Sequence, residues 1–151
     1  MAKKQTPLES LESVAVPVDV PVRFAETDLM GVVHHAAYIP WLEVGRIQWL
    51  IQVGMPYTEI ADGGHHFSVT GINMQYRAAA TFGDTVRVVT RLAVLRSRQI
   101  SFEYELFNAA TDQRLATGRS DHICVDLAGR MAKIPQDVID RITAGGMVGE
   151  A

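Results

Sequence analysis

Apolar and polar residues alternate along Val18-Asp-Val-Pro-Val-Arg-Phe24, with Val18, Val20, Val22 and Phe24 in one phase and Asp19, Pro21 and Arg23 in the other. A period of two marks a strand with one buried face, so the pattern predicts a strand over 18–24. Pro21 lacks the N–H that a ladder needs, which places part of this strand at an unpaired edge. The alternation returns in Thr85–Leu95, where Val86, Val88, Leu92 and Val94 share a face. It is cleanest over Gln99–Phe107, where Ile100, Phe102, Tyr104 and Leu106 alternate with Gln99, Ser101, Glu103 and Glu105. Leu115–Leu127 is longer and mixed, as expected of a strand in the middle of a sheet.

Phe67–Arg77 carries a fault. Phe67 and Val69 set one phase, Ile72, Met74 and Tyr76 set the other, and Gly71 sits at the switch. One extra residue reverses the alternation, so a bulge at Gly71 restores a single buried face. The other reading is that one of the two apolar sets faces a partner subunit.

A long helix is predicted over Ala37–Val53. Pro40 falls in its first turn, where the missing N–H has no intrahelical use, and Gly54 and Pro56 stop the far end. Glu43, Arg46, Gln48 and Gln52 are its few polar residues, and a helix apolar on nearly every side is expected to be enclosed. A shorter helix is predicted over Gln136–Thr143, after Pro135. One early strand, an enclosed helix and then four strands give an α+β class, an antiparallel sheet of about five strands curled around a single long helix.

At 151 residues the chain has the length of one domain. Residues 1–16 read as a flexible N-terminal arm, 17–143 as the domain, and the Gly-rich 144–151 as a flexible tail. A formal net charge of −3 supplies no basic field for a nucleic-acid backbone. The single cysteine, Cys124, excludes an intramolecular disulfide and a multi-cysteine zinc site; flanked by Ile123 and Val125, it reads as a small core residue. No apolar run approaches the length of a membrane span, and no apolar stretch follows Lys3-Lys4 as a signal peptide requires, so a cytoplasmic protein is expected.

Several constellations fail on geometry. Ser120-Asp121-His122 holds the residue types of a catalytic triad, but strand neighbours point to opposite faces. His34-His35 and His65-His66 lack the spacing that puts two imidazoles on one metal, and no metal site is expected. The informative stretch is Val22-Arg-Phe-Ala-Glu-Thr-Asp-Leu-Met-Gly-Val-Val-His-His-Ala-Ala-Tyr38. It sets Asp28 just past a strand, Gly31 in the connection and two histidines before the helix. Helix N-termini expose unpaired N–H groups and a partial positive charge that suit an oxyanion, so a carboxylate six or seven residues earlier can address the same carbonyl. The competing reading makes Asp28 a turn cap and the histidines surface residues.

This segment resembles the 4-hydroxybenzoyl-CoA thioesterase family of the hotdog fold. The resemblance rests on Thr27-Asp28, Gly31, Val32-Val33, His34-His35 and Tyr38 in the family's spacing, with Glu43 and Arg46 as a Glu-x-x-Arg-like tail. It is specific over about residues 20–50, and the order of strands agrees along 18–127. The resemblance implies an acyl-CoA thioesterase in which Asp28 is the nucleophile or the general base on water. His35 stands where a backbone N–H at the helix start polarises the thioester carbonyl, and its imidazole is a further hydrogen-bonding group. Gly31, Val33, His34 and Tyr38 are the motif positions expected to bind substrate. Phe24 departs from the pattern, since some members carry Tyr there.

Thioester hydrolysis suits so small a set. A thiol of pKa near ~8.5 leaves without strong acid help, so a nucleophile and an oxyanion site suffice. No cofactor is implied, coenzyme A being part of the substrate. Arg96 and Arg98 are the clustered candidates for its phosphates, with Arg77 and Arg130 behind them; solvated surface arginine is the plain reading of all four. Glu43 reads either as half of an i, i+3 pair with Arg46 or as a catalytic carboxylate, as in another branch of hotdog thioesterases. Trp41, Trp49, Phe67 and Tyr76 are either an acyl pocket or core. The alternative function is a non-catalytic acyl-CoA-binding hotdog protein. The resemblance also implies a homo-oligomer, a dimer or a homotetramer, with its sites between subunits.

Overall fold

The computed structural model describes residues 12–148. In chain order it contains β1 (Val16–Pro21), α1 (Tyr38–Gln52), α2 (Tyr57–Asp62), β2 (His65–Tyr76), β3 (Thr85–Leu95), β4 (Gln99–Asn108), β5 (Arg114–Asp126) and α3 (Gln136–Gly146). Two 3-10 turns, Phe24–Glu26 and His35–Ala37, lie between β1 and α1. The strands form one five-stranded sheet in the order β1-β3-β4-β5-β2, antiparallel throughout. This is the hotdog arrangement expected from the sequence, with α1 against the sheet's inner face.

β3 matches its expected span, β4 runs one residue longer, and β5 begins and ends one residue earlier than expected. β1 departs further. It starts at Val16 and stops at Pro21, because the Arg23 N–H turns to the Glu26 carboxylate (2.8 Å) instead of continuing a ladder. Phe24, expected in the buried phase, is therefore 77% exposed. Pro17 and Pro21 are tolerated because β1 pairs only with β3 and is an edge.

The fault in β2 is a bulge. Val69 pairs with His122 and Gly71 with Asp121, leaving Thr70 as the extra residue. Phe67, Val69, Ile72, Met74 and Tyr76 then lie opposite Cys124, His122, Ser120, Gly118 and Ala116, on one face. Yet Val69, Ile72 and Tyr76 stay exposed, because β2 is the other edge and its face runs past the helix. The bulge reading holds: it unifies the face, part of which stays exposed in this chain.

α1 turns Tyr38, Trp41, Leu42, Gly45, Trp49 and Leu50 inward. A Cβ on Gly45 would stand 2.5 Å from Thr90 Oγ1 and 2.8 Å from Val88 Cγ1, so only glycine permits this approach of helix to β3. Gly54, at φ +86°, closes the helix in the left-handed conformation. Ile39, Val44 and Ile51 on the outer side are exposed, so the chain alone does not enclose the helix as its composition suggests. The Glu43–Arg46 pair does not form either; Arg46 turns to the Tyr104 hydroxyl and Glu43 faces solvent. Trp41 and Trp49 are core, their indole N–H groups donating to Glu26 Oε2 (2.7 Å) and the Val14 carbonyl (2.9 Å).

The chain ends brace each other. Ser13 bonds both backbone groups of Leu92, the Val14 N–H donates to Gly146 O (2.8 Å), and α3 runs three residues beyond its expected end. Residues 1–11 and 149–151, which make up most of the expected arm and part of the tail, lie outside the described residues.

Candidate active site

The connection from β1 to α1 is folded by its own polar groups. Asp28 Oδ1 accepts the N–H of Met30 (2.8 Å) and of Val32 (3.3 Å), and the Asp28 N–H donates to Val32 O (2.8 Å). Gly31, at φ +78°, supplies the reversal between them. Asp28 is thus a turn cap, as one sequence reading had it. Capping uses only Oδ1, and no hydrogen bond or ion pair among the described residues engages Oδ2 of this exposed carboxylate. The loop is docked by bridges Thr27↔Val33 and Val32↔Thr81 and by the Val33 N–H on Ala80 O (2.9 Å).

From Val33 the chain enters the His35–Ala37 turn and then α1. The first N–H groups of a helix lack intrahelical acceptors, and those of His35 and Ala36 begin this one. A cavity of about 310 Å³ opens there, lined by Val33, His35, Tyr38, Tyr76, Arg77, Ala78 and Ala79. The Tyr76 hydroxyl donates to the His35 carbonyl (2.7 Å) and fixes the helix entry against the end of β2. Tyr38 OH accepts the Ala80 N–H (3.1 Å), and the Tyr38 and Tyr76 rings meet edge-on at 5.2 Å. Burial raises both phenols above their ordinary pKa, so they stay protonated donors.

Of the expected site residues, Val33, His35 and Tyr38 meet in this cavity, Gly31 and Asp28 lie in the adjoining loop, and His34 is exposed beside His35. Asp28 is not part of the wall of this cavity. Tyr76 joins the cavity, while Phe67 packs against the core. Arg96 and Arg98 are elsewhere. Pro21 pairs with Thr85 at the start of β3, which sets the Asp28 loop at that end, whereas Arg96 and Arg98 follow its last residue, Leu95. An 11-residue strand spans roughly 35 Å, so in this chain these arginines stand far from the helix start.

Sequence reasoning missed Glu26. Its side chain is buried, accepting from Arg23 N, the Arg23 guanidinium and Trp41 Nε1, while its carbonyl accepts the His34 N–H (3.1 Å). Burial pushes its pKa up, but the donors from Arg23 and Trp41 outweigh it and hold the carboxyl below its ordinary value. Glu26 therefore ties the Asp28 loop to α1. A charged residue two places before Asp28, in the phase of Phe24 and Val22, was the available signal.

The Ser120-Asp121-His122 run behaves as strand geometry requires. Asp121 turns outward to Ser101 (2.6 Å) and Arg119 (3.2 Å), with Ser101 chiefly lowering its pKa. Ser120 and His122 point inward, fully buried, in a chain from Arg46 through Tyr104 OH (3.5 Å) and Ser120 Oγ (2.5 Å) to His122 Nε2 (2.8 Å). A guanidinium only donates, so Arg46 donates to the Tyr104 oxygen, while the Tyr104–Ser120 and Ser120–His122 bonds are open to either direction, with the hydrogen of the neutral ring on Nε2 or Nδ1. That Nδ1 has no partner. Cys124 is buried, and burial raises its thiol pKa, which suits a core residue. Among the described residues no cluster of metal-ligating side chains occurs, and no helix is long and apolar enough to cross a membrane.

A family model described as the thioesterase-like superfamily matches residues 22–142. The chain belongs to this superfamily. The match extends the resemblance of residues 20–50 from α1 through most of α3, and the chain is a thioester hydrolase by family. It is 34% identical over 108 residues to the putative acyl-CoA thioesterase YneP of Bacillus subtilis, covering 72% of this chain and 78% of that one. A hypothetical protein, TT1821, from Thermus thermophilus superposes with a TM-score of 0.80 at 37% identity, over 87% of this chain and 98% of that one. A 4-hydroxybenzoyl-CoA thioesterase variant solved with 4-hydroxybenzoyl-CoA gives a TM-score of 0.74 over 84% of this chain and 97% of that one. At 16% identity that last likeness speaks for the fold alone.

Proposed function

We propose that this protein hydrolyses acyl-CoA thioesters to free acid and coenzyme A. The observation that carries the reading is that Asp28, with its Oδ2 unengaged among the described residues, and His35, in the turn that leads into α1, stand on one hydrogen-bonded connection, His35 lining an aromatic-walled cavity. The thioester carbonyl oxygen lies toward the His35 N–H, where the negative charge of the tetrahedral intermediate is stabilised by a fixed dipole. Asp28 acts at the carbonyl carbon by one of two routes. As general base it takes a proton from water as the water oxygen bonds to that carbon. As nucleophile it forms an anhydride that water then opens. In both, the C–S bond breaks, coenzyme A leaves as thiolate, and no cofactor takes part.

The functional unit of this reading is a homo-oligomer. The free edge of β2, the outer side of α1 at Ile39, Val44 and Ile51, and Leu29 and Met30 beside Asp28 leave apolar surface that a second copy covers. The relatives' names supply acyl-CoA as the substrate class, and the absence of a basic field argues against nucleic acid.

The test is thiol release from aromatic, short-chain and long-chain acyl-CoAs. Turnover of at least one is the expected outcome. Binding without turnover of any would favour a non-catalytic acyl-CoA-binding protein instead.

A further inference from the structure

The cavity beside His35 has an unbalanced charge. Of its lining residues Arg77 carries a full positive charge and His35 an imidazole, the Tyr38 and Tyr76 phenols are held protonated by burial, and no carboxylate is among them. The helix start adds its partial positive charge on the same side. Arg23, Arg87, Arg114, Arg119 and Arg141 are each held by a carboxylate, whereas Arg77 makes no ion pair among the described residues. Its backbone is fixed all the same: the N–H groups of Arg77 and Ala78 both donate to Leu115 O, at 2.8 and 3.1 Å. Arg77 is therefore an exposed cation on a rigid root, at the rim of a positive cavity.

A thioester carbonyl is neutral until the transition state, so it does not call for a full cation in the ground state. We infer that Arg77 is the anion anchor of this site, its guanidinium holding an acidic group of the bound thioester while the carbonyl lies at the helix start. The inference rests on the proposed thioesterase activity and gives Arg77 the place that the sequence suggested for Arg96 and Arg98, which stand at the other end of β3 in the same chain. The acidic group is either a phosphate of the coenzyme A portion or a carboxylate on the acyl group. A guanidinium takes both through the same paired N–H···O bonds. The consequence is the same in kind: loss of Arg77 weakens substrate binding and spares the chemical step.

The experiment compares wild type with Arg77→Gln, Arg77→Lys and Arg98→Gln. The substrates are a hydrolysed acyl-CoA, the same acyl group on phosphate-free pantetheine, and a carboxylated acyl-CoA. Arg77→Gln is expected to raise KM for its anionic substrate roughly tenfold to a hundredfold, with kcat nearly unchanged. Arg77→Lys should recover part of the loss, and Arg98→Gln should match wild type. If the phosphate is bound, the KM effect disappears on acyl-pantetheine. If the acyl carboxylate is bound, the effect appears only with the carboxylated substrate. Unchanged KM on all three, a fall in kcat at constant KM, or a larger effect from Arg98→Gln would each overturn the inference. Should wild type hydrolyse none of them, the thioesterase reading fails by itself. Calorimetric titration of the same acyl-CoAs into wild type and Arg77→Gln then still decides the anchor: equal affinities overturn it and weaker binding by the variant supports it. Arg77 is exposed and bonded here only through its backbone, so the variants are expected to melt with wild type.

Discussion

His122 makes the fold lose stability in mildly acidic solution. The imidazole is fully buried, its Nε2 is hydrogen-bonded to Ser120 Oγ, and burial together with repulsion from Arg46 brings its pKa down from 6.5 to about 4, Asp121 opposing only in part. In the unfolded chain the ring takes a proton as pH falls through 6.5, while in the folded chain it stays neutral until about pH 4. The unfolded state therefore binds more protons across that window, and stability falls with falling pH. The full effect is about 3 kcal/mol, of which about 2 kcal/mol is lost between pH 7 and pH 5. Urea unfolding at both pH values, at fixed protein concentration, measures it. His122→Gln removes the titration but keeps a hydrogen-bonding group for Ser120, and it should lose about 2 kcal/mol less than wild type over the same interval. Glu26 and Asp121, whose pKa values are lowered, add acid lability only below the ordinary carboxylate range, outside this window. Equal losses in wild type and His122→Gln between pH 7 and pH 5 would refute the assignment of a buried neutral imidazole.

Other outcomes follow from single contacts. Glu26→Ala strands the buried Trp41 indole N–H, so it should cost about 1–3 kcal/mol in thermal or urea unfolding and lower turnover by loosening the Asp28 loop. Gly45→Ala sets a methyl 2.5 Å from Thr90 Oγ1. The strain of about 1–3 kcal/mol should outweigh the roughly 1 kcal/mol of helix propensity gained and depress the melting temperature. Light scattering at micromolar concentration should give a mass at least double the 16.6 kDa chain; a stable monomer contradicts a site shared between copies.

Most of the sheet was legible because four of its strands bury alternate residues, and alternation is what a sequence records directly. The bulge was legible for the same reason, since Val69 and Ile72 are out of phase around Gly71. β1 was misplaced because Glu26, which continues the phase of Val22 and Phe24 as a carboxylate, captures the Arg23 N–H and ends the strand. α2, only six residues at Tyr57–Asp62, was not anticipated: after Pro56 its apolar positions are too few to show a period. Arg46 passed over Glu43 because a buried phenol lay within reach, which helical spacing does not reveal. At the site, the linear motif brings Val33, His35 and Tyr38 to one cavity, with Gly31 in the adjoining loop, because they are close in the chain. Tyr76 was left undecided between pocket and core, and Arg77 behind other arginines, because both reach the cavity only through the β2 fold.

The most direct test of the proposed chemistry is the turnover of Asp28→Asn with an acyl-CoA that wild type hydrolyses. Asparagine retains an Oδ1 acceptor for the Met30 and Val32 N–H groups, so the loop should hold its shape while the charge is lost. If Asp28 is the reacting carboxylate, kcat should fall by at least ~10² with KM little changed, and Glu43→Gln should keep most of its activity. A folded Asp28→Asn protein with near-normal kcat, beside an inactive but folded Glu43→Gln protein, would assign the chemistry to the helix carboxylate and leave Asp28 as a turn cap alone.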